Sequence, residues 1–130
     1  MTVPDTSPSP DDATIEPTGA GGTAVVTFAR SLQALTVIRS LGRRGVRVIA
    51  GDEYELTPGG MSRYCSARFT YPDPVRDREG FLTALERALK EHAPDDGRLP
   101  VLMPVHRETF VIAEERARLE PLAAMALPDA

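Results

Sequence analysis

Tryptophan is absent from this sequence of 130 residues, cysteine occurs once, and lysine occurs once. A lone cysteine, Cys65, excludes an internal disulfide and fits a reducing compartment. A lone lysine, Lys90, leaves almost nothing for an enzyme that grips nucleotide phosphates through lysines. The other basic residues are all arginine, which reads as compositional bias rather than function. No apolar run approaches the roughly 20 residues that a membrane helix needs. The N-terminus is acidic and Pro-rich without an apolar core, so it does not read as a secretory signal. Cytoplasm is therefore the expected location. The formal net charge of -4 suggests neither a nucleic-acid nor a membrane partner.

That charge is unevenly placed. Residues 1–22 hold Asp5, Asp11, Asp12 and Glu16 with no lysine or arginine, so they account for the whole imbalance and the remainder is balanced. The same segment is rich in proline and glycine. It cannot bury enough apolar area to offset its ordering entropy, and it reads as a disordered, solvated tail. Residues 23–130 are enough for one folded domain.

The rest of the chain is organised around Ala24 to Asp52. Ala24 to Ala29 is an apolar, β-prone run, as a strand buried on both faces should be. Ser31 to Arg44 has helical spacing at Leu35, Ile38 and Leu41. Gly45 closes that helix, and Val46 to Ala50 is a second strand. Together they form a βαβ unit. A loop with Pro58, Gly59 and Gly60 follows, then a turn over Ser62 to Ser66 and a third strand over Ala67 to Tyr71. Asp77 to His92 is the clearest helix, with Phe81, Leu82, Leu85, Ala88 and Leu89 on one stripe. Leu99 to Val105 reads as a fourth, central strand, Thr109 to Arg118 as a helix, and Leu122 to Leu127 as a candidate fifth strand. The expected fold is α/β: an open, mostly parallel sheet of four or five strands with helices on both faces.

In such sheets ligands bind beyond the carboxyl ends of the strands, where strand order reverses. The first turn lacks the G-x-G-x-x-G pattern through which a dinucleotide's pyrophosphate approaches the backbone, and no Walker pattern occurs. Arg30 and Ser31 could still hold a carboxylate or phosphate at the helix start; a helix cap and a solvated guanidinium are the ordinary alternatives. Asp52 occupies the place of a ribose-binding acid, or simply forms a turn. His106, Arg107 and Glu108 cluster after a buried strand. Glu108 reads either as a substrate ligand or as an acid favoured by a helix dipole. His92 reads as the end of a solvated helix and Cys65 as a structural thiol. Two histidines and one cysteine show no metal spacing, and no nucleophile elbow or triad is visible, so no catalytic or metal-binding residue is assigned.

Val25 to Ser31 opening into Leu35–Leu41, Gly45 to Asp52, Ser62 to Ser66, Phe81 to Leu89 and Val101 to Glu108 follow one another in an order that resembles a known family. It is the Rossmann-like domain preceding the catalytic part of ATP-grasp ligases, among them carboxylate–amine ligases and D-amino-acid ligases. The likeness covers about residues 23–130 and lies in the order of elements, not in one diagnostic motif. It implies an enzyme that activates a small-molecule carboxylate as an acyl phosphate with Mg-ATP and passes it to an amine. The ATP clamp and metal-binding acids would belong to later domains, which are missing here, so the resemblance implies a partial chain, inactive alone and with no cofactor of its own. It makes Arg30, Ser31 and Glu108 candidate substrate-side residues, to which Asp52 is added by its place at a strand end. A free-standing small-molecule or nucleotide-binding module and a non-catalytic homodimerisation domain are the alternatives.

Overall fold

Valine, isoleucine and alanine dominate the two segments that pair first, β1 (Thr23–Val26) and β2 (Arg47–Asp52), and nearly all of their residues are buried. The computed structural model describes residues 22–125. Three further strands follow: β3 (Ala67–Thr70), β4 (Val101–Met103) and β5 (Ala124–Met125). All pair in parallel, in the order β3-β2-β1-β4-β5. The helices are α1 (Leu32–Arg43), α2 (Arg78–Glu91), α3 (Glu108–Glu114) and α4 (Arg116–Leu119). The expected α/β class is thus observed, with five strands and a wholly parallel sheet.

The period of two along a strand sorts the core into two layers. Val25 lies opposite Ile49 on one side and Leu102 on the other. These three face Phe81, Leu82, Leu85 and Leu89 of α2, Val111 and Ile112 of α3, and Leu119 of α4. Val26, Val48 and Ala50 face the opposite way, onto Ala34 and Ile38 of α1. Each fully buried leucine or phenylalanine contributes on the order of 1.5–3 kcal/mol.

Several boundaries differ from the sequence reading. The first strand ends at Val26 rather than Ala29, because Phe28 turns left-handed at φ 55°. The buried stripe of α1 is Ala34, Ile38 and Gly42; Leu35 and Leu41 lie on its flanks. Small residues let α1 sit close to the sheet and to Tyr64. The helix expected over Thr109–Arg118 is two short helices, α3 and α4, broken at Glu115. Asp77 caps α2 by accepting from the Gly80 N–H, and Gly45 takes φ 80° after α1, both as expected. The fifth strand is seen as Ala124–Met125, and the rest of the segment read as a strand lies outside the described residues, as does the N-terminal tail.

Gly42 gives a test of this packing. A helix glycine replaced by alanine ordinarily gains about 1 kcal/mol. Here an added Cβ would lie 2.5 Å from the Cβ of Tyr64, an atom tied to the backbone that cannot swing aside. Gly42→Ala is therefore expected to lower stability by about 1–3 kcal/mol in urea unfolding. A stabilised variant would show that α1 and the 61–64 turn are not in close contact.

Candidate functional site

The chain runs from β1 outward through β2 to β3, then returns by α2 to β4 on the other side of β1. Strand order therefore reverses between β1 and β4, and the crevice of an open α/β sheet belongs at their carboxyl ends. Thr27 joins those ends. Its hydroxyl accepts from the Val105 N–H at 2.8 Å, and its own N–H donates to the Met103 carbonyl at 3.4 Å. Just beyond, the two strands carry the only described non-glycine residues at positive φ, Phe28 at 55° and His106 at 65°. That conformation costs about 1–3 kcal/mol for each. The two rings stack on each other, with centroids 4.3 Å apart and planes within 10°. His106 takes one face of Phe28. The Arg30 guanidinium lies 4.5 Å from the ring centroid, on the face left to it, and 4.6 Å from that of Tyr54. Cation–π attraction of this kind contributes about 0.5–2 kcal/mol.

Arg30 is also the centre of an ion network. Its Nη2 donates to Asp52 Oδ1 at 2.6 Å and to Glu53 Oε2 at 2.9 Å, and its Nε to both Asp52 oxygens at 3.1 Å. Asp52 is 1% exposed and also accepts from the backbone N–H groups of Arg30, Glu53 and Tyr54. Its hydrogen bonds hold the Arg30 guanidinium still more firmly protonated than usual. Glu53 Oε2 is shared, since Arg107 Nη2 donates to it at 3.0 Å and to Asp73 Oδ2 at 3.4 Å. Charged groups from the loops after β1, β2, β3 and β4 are thereby joined in one network.

Beneath it lies a buried carboxyl. Glu108 is 0% exposed, and its Oε2 accepts from the Tyr71 hydroxyl at 2.6 Å. That hydroxyl in turn accepts from the Phe28 N–H at 3.0 Å, so its own proton points to Glu108. Burial raises the Glu108 pKa above the usual 4.5, against the Tyr71 hydrogen bond. Burial, followed by the Glu108 hydrogen bond, raises the Tyr71 phenol, which keeps it a donor. Glu108 Oε1 and Arg107 Nε are both buried without a hydrogen-bond partner, and they stand 3.8 Å apart. The gap is too long for a direct hydrogen bond. It suits a group that both accepts and donates.

The four residues singled out from sequence are thus placed as follows. Arg30, Asp52 and Glu108 belong to the carboxyl-end face, linked through Glu53 and Arg107. Ser31 caps α1, accepting from the Ala34 N–H at 3.0 Å. The β1–α1 turn spends its own donors internally: Ala29 N–H on Gly51, Arg30 N–H on Asp52, Ser31 N–H on Phe28. Tyr71, Thr27 and the left-handed pair escaped the sequence reading, since nothing in a strand-ending tyrosine or a β1 threonine signals what it meets across the sheet. Cys65 donates to the Ala67 carbonyl at 3.0 Å, and burial raises its pKa. His92 forms the C-cap of α2, where burial lowers its pKa. Among the described residues, no group of three or more His, Cys, Asp or Glu is arranged to hold a metal. None of their helices is long and apolar enough to cross a membrane. No protein-family model matches the chain, and no curated protein matches it.

Two outcomes follow from the Tyr71–Glu108 pair. Tyr71→Phe leaves the Phe28 N–H and Glu108 Oε2 without their shared partner, at about 1–3 kcal/mol for each buried group. A loss above about 2 kcal/mol is expected in urea unfolding, and an unchanged midpoint would remove the hydroxyl from this account. Glu108 holds its proton to higher pH when folded than when unfolded. Its contribution therefore falls as pH rises from 4.5 through the raised folded value. Wild-type stability, measured against Glu108→Gln, should decline with pH across that window. A difference that stays flat would mean that Glu108 is not perturbed.

Proposed function

We propose that this chain is the substrate-side domain of an ATP-grasp ligase, forming one wall of the cleft in which a carboxylate is activated and joined to an amine. The family resemblance supplies the reaction class. The observation that carries the reading is the character of the carboxyl-end face. It has a cross-linked, charged floor, and exposed Leu32, Tyr54, Val75 and Phe110 stand in the segments following β1, β2, β3 and β4. Large apolar side chains around a built polar floor are what an unfinished cleft presents before a second wall covers it. The nucleotide-module alternative is disfavoured, because the β1–α1 turn keeps few donors for a phosphate.

In this reading Mg-ATP is held by other domains and transfers its terminal phosphoryl group to the carboxylate, which the amine then attacks with release of phosphate. The present domain orients the substrate. Arg30 and Asp52 hold the floor rigid, and Ser31 fixes the helix start. Arg107 Nε and Glu108 Oε1 offer a paired donor and acceptor to a substrate hydroxyl or amine once the Arg107 side chain moves off the buried carboxyl. The cytoplasm is the location that fits an ATP-dependent ligase.

The test uses the complete protein encoded by the gene that carries this chain. Carboxylate-dependent ADP release, with hydroxamate formed when hydroxylamine replaces the amine, is expected across a panel of amino acids and other small carboxylates. The 130-residue chain alone should release no ADP. A stop codon directly after Ala130, or ADP release indifferent to every carboxylate, would overturn the reading. Sedimentation of the same chain separates the homodimer alternative, which requires self-association through the apolar rim without ligand.

A further inference from the structure

The outer face of α1 carries Arg39, Arg43 and Arg44, and the helix contains no acidic residue. Across a groove of about 850 Å³ stands Arg63, in the turn that follows the glycine loop. Arg39 and Arg43, one turn apart, form one bank of that groove, and Arg63 and Ser62 stand on the other. Leu35 and Met61 give it an apolar lining. Arg39, Arg43 and Arg44 also border an adjoining hollow. No acidic side chain lines either depression. In a chain of net charge -4 this concentration of positive charge is out of keeping with the rest of the molecule.

We propose that this groove is the docking site of the chain's own acidic N-terminal segment, residues 1–21. Charge complementarity is the first argument. The segment carries Asp5, Asp11, Asp12 and Glu16 and no cation, so it holds the chain's entire charge imbalance. Position is the second. The segment joins the fold at Gly22, whose carbonyl accepts from the Arg47 N–H at 2.9 Å. Arg47 opens β2 just after Arg43 and Arg44 end α1, so the segment enters the fold beside the basic end of that helix. Reach is the third. The 12 residues of α1 span about 18 Å. A flexible stretch of about ten residues, the separation of Asp11 and Asp12 from Gly22, has a root-mean-square span of about 17 Å. Exposed ion pairs are individually weak. The tether offsets this by holding the acids at a millimolar effective concentration. Docking covers a basic surface that would otherwise attract unrelated polyanions. The proposal is independent of the ligase reading.

The experiment places a nitroxide label on the full chain at Ser9→Cys, with Cys65→Ser removing the native thiol. Paramagnetic broadening of backbone amides is then read by NMR. At about 0.01 M salt, where the screening length is about 30 Å, amides of Leu35 to Arg44 and Met61 to Tyr64 are expected to broaden selectively. At about 1 M salt, where that length is about 3 Å, the broadening should vanish. It should also vanish in the variant Asp5→Asn, Asp11→Asn, Asp12→Asn, Glu16→Gln, whose substitutions lie outside the folded core. Uniform or absent broadening, or broadening that survives neutralisation, would overturn the proposal. So would broadening of an isotope-labelled, spin-free chain mixed with a spin-labelled one, which identifies a second copy as the occupant. Amide shifts in the groove on adding inorganic phosphate, with none on neutralising the segment, would assign the groove to a free anion instead.

Discussion

A carboxylate with 1% of its surface in water must be paired or it will not stay charged, and Asp52 meets that demand almost entirely from one neighbour. Arg30 gives it two guanidinium nitrogens and a backbone N–H. The bidentate pair fixes the turn after β1 against the end of β2. That placement puts the guanidinium over the Phe28 ring and Glu53 within reach of Arg107. Were Asp52 replaced by a smaller or neutral group, Arg30 would lose its anchor and the positive φ of Phe28 would lose one of the contacts that oppose its cost.

Rigidity at the carboxyl end is therefore built from charge and aromatic stacking rather than from glycine. Dinucleotide-binding folds bring the backbone close to a phosphate by omitting side chains at the first turn. This chain closes the same turn with Ala29, Arg30 and Ser31 and turns the donors inward. A glycine does approach the region from elsewhere: Gly59 donates its N–H to the Ala29 carbonyl at 2.8 Å, bringing the glycine loop against the turn. What the face offers a ligand is side-chain chemistry, with Glu108 Oε1 and Arg107 Nε as its unspent polar atoms.

Much of the scaffold was legible in the sequence because local rules agreed with the tertiary result. The stripe from Phe81 to Leu89, the Asp77 cap and the Gly45 terminator all appear as the residues suggest. Legibility failed where a contact crosses the sheet. Phe28 looks like a strand residue until His106 is found beside it. Tyr71 looks like the end of a strand until its hydroxyl is seen between Phe28 and Glu108. The buried stripe of α1 was misplaced because Ala34 and Gly42 carry little hydrophobic signal, yet their smallness admits the sheet and Tyr64. Arg30, Asp52 and Glu108 could be marked as chemistry-bearing residues at strand ends, but the Glu53 oxygen that links Arg30 to Arg107 leaves no trace in spacing.

The pairing of β1 with both β2 and β4 carries a consequence for the order in which the molecule is made. β1 meets β2 across a single helix, so that unit closes over a short stretch of chain. Its union with β4, clasped by Thr27 and Val105, joins residues 78 apart. Loop-closure entropy makes such a distant union late and slow compared with the local one. The crevice lies on that late seam. On a nascent chain the β1–α1–β2 unit can form while half of the floor is still unsynthesised, so the recognition face comes into being in the same step that completes the fold.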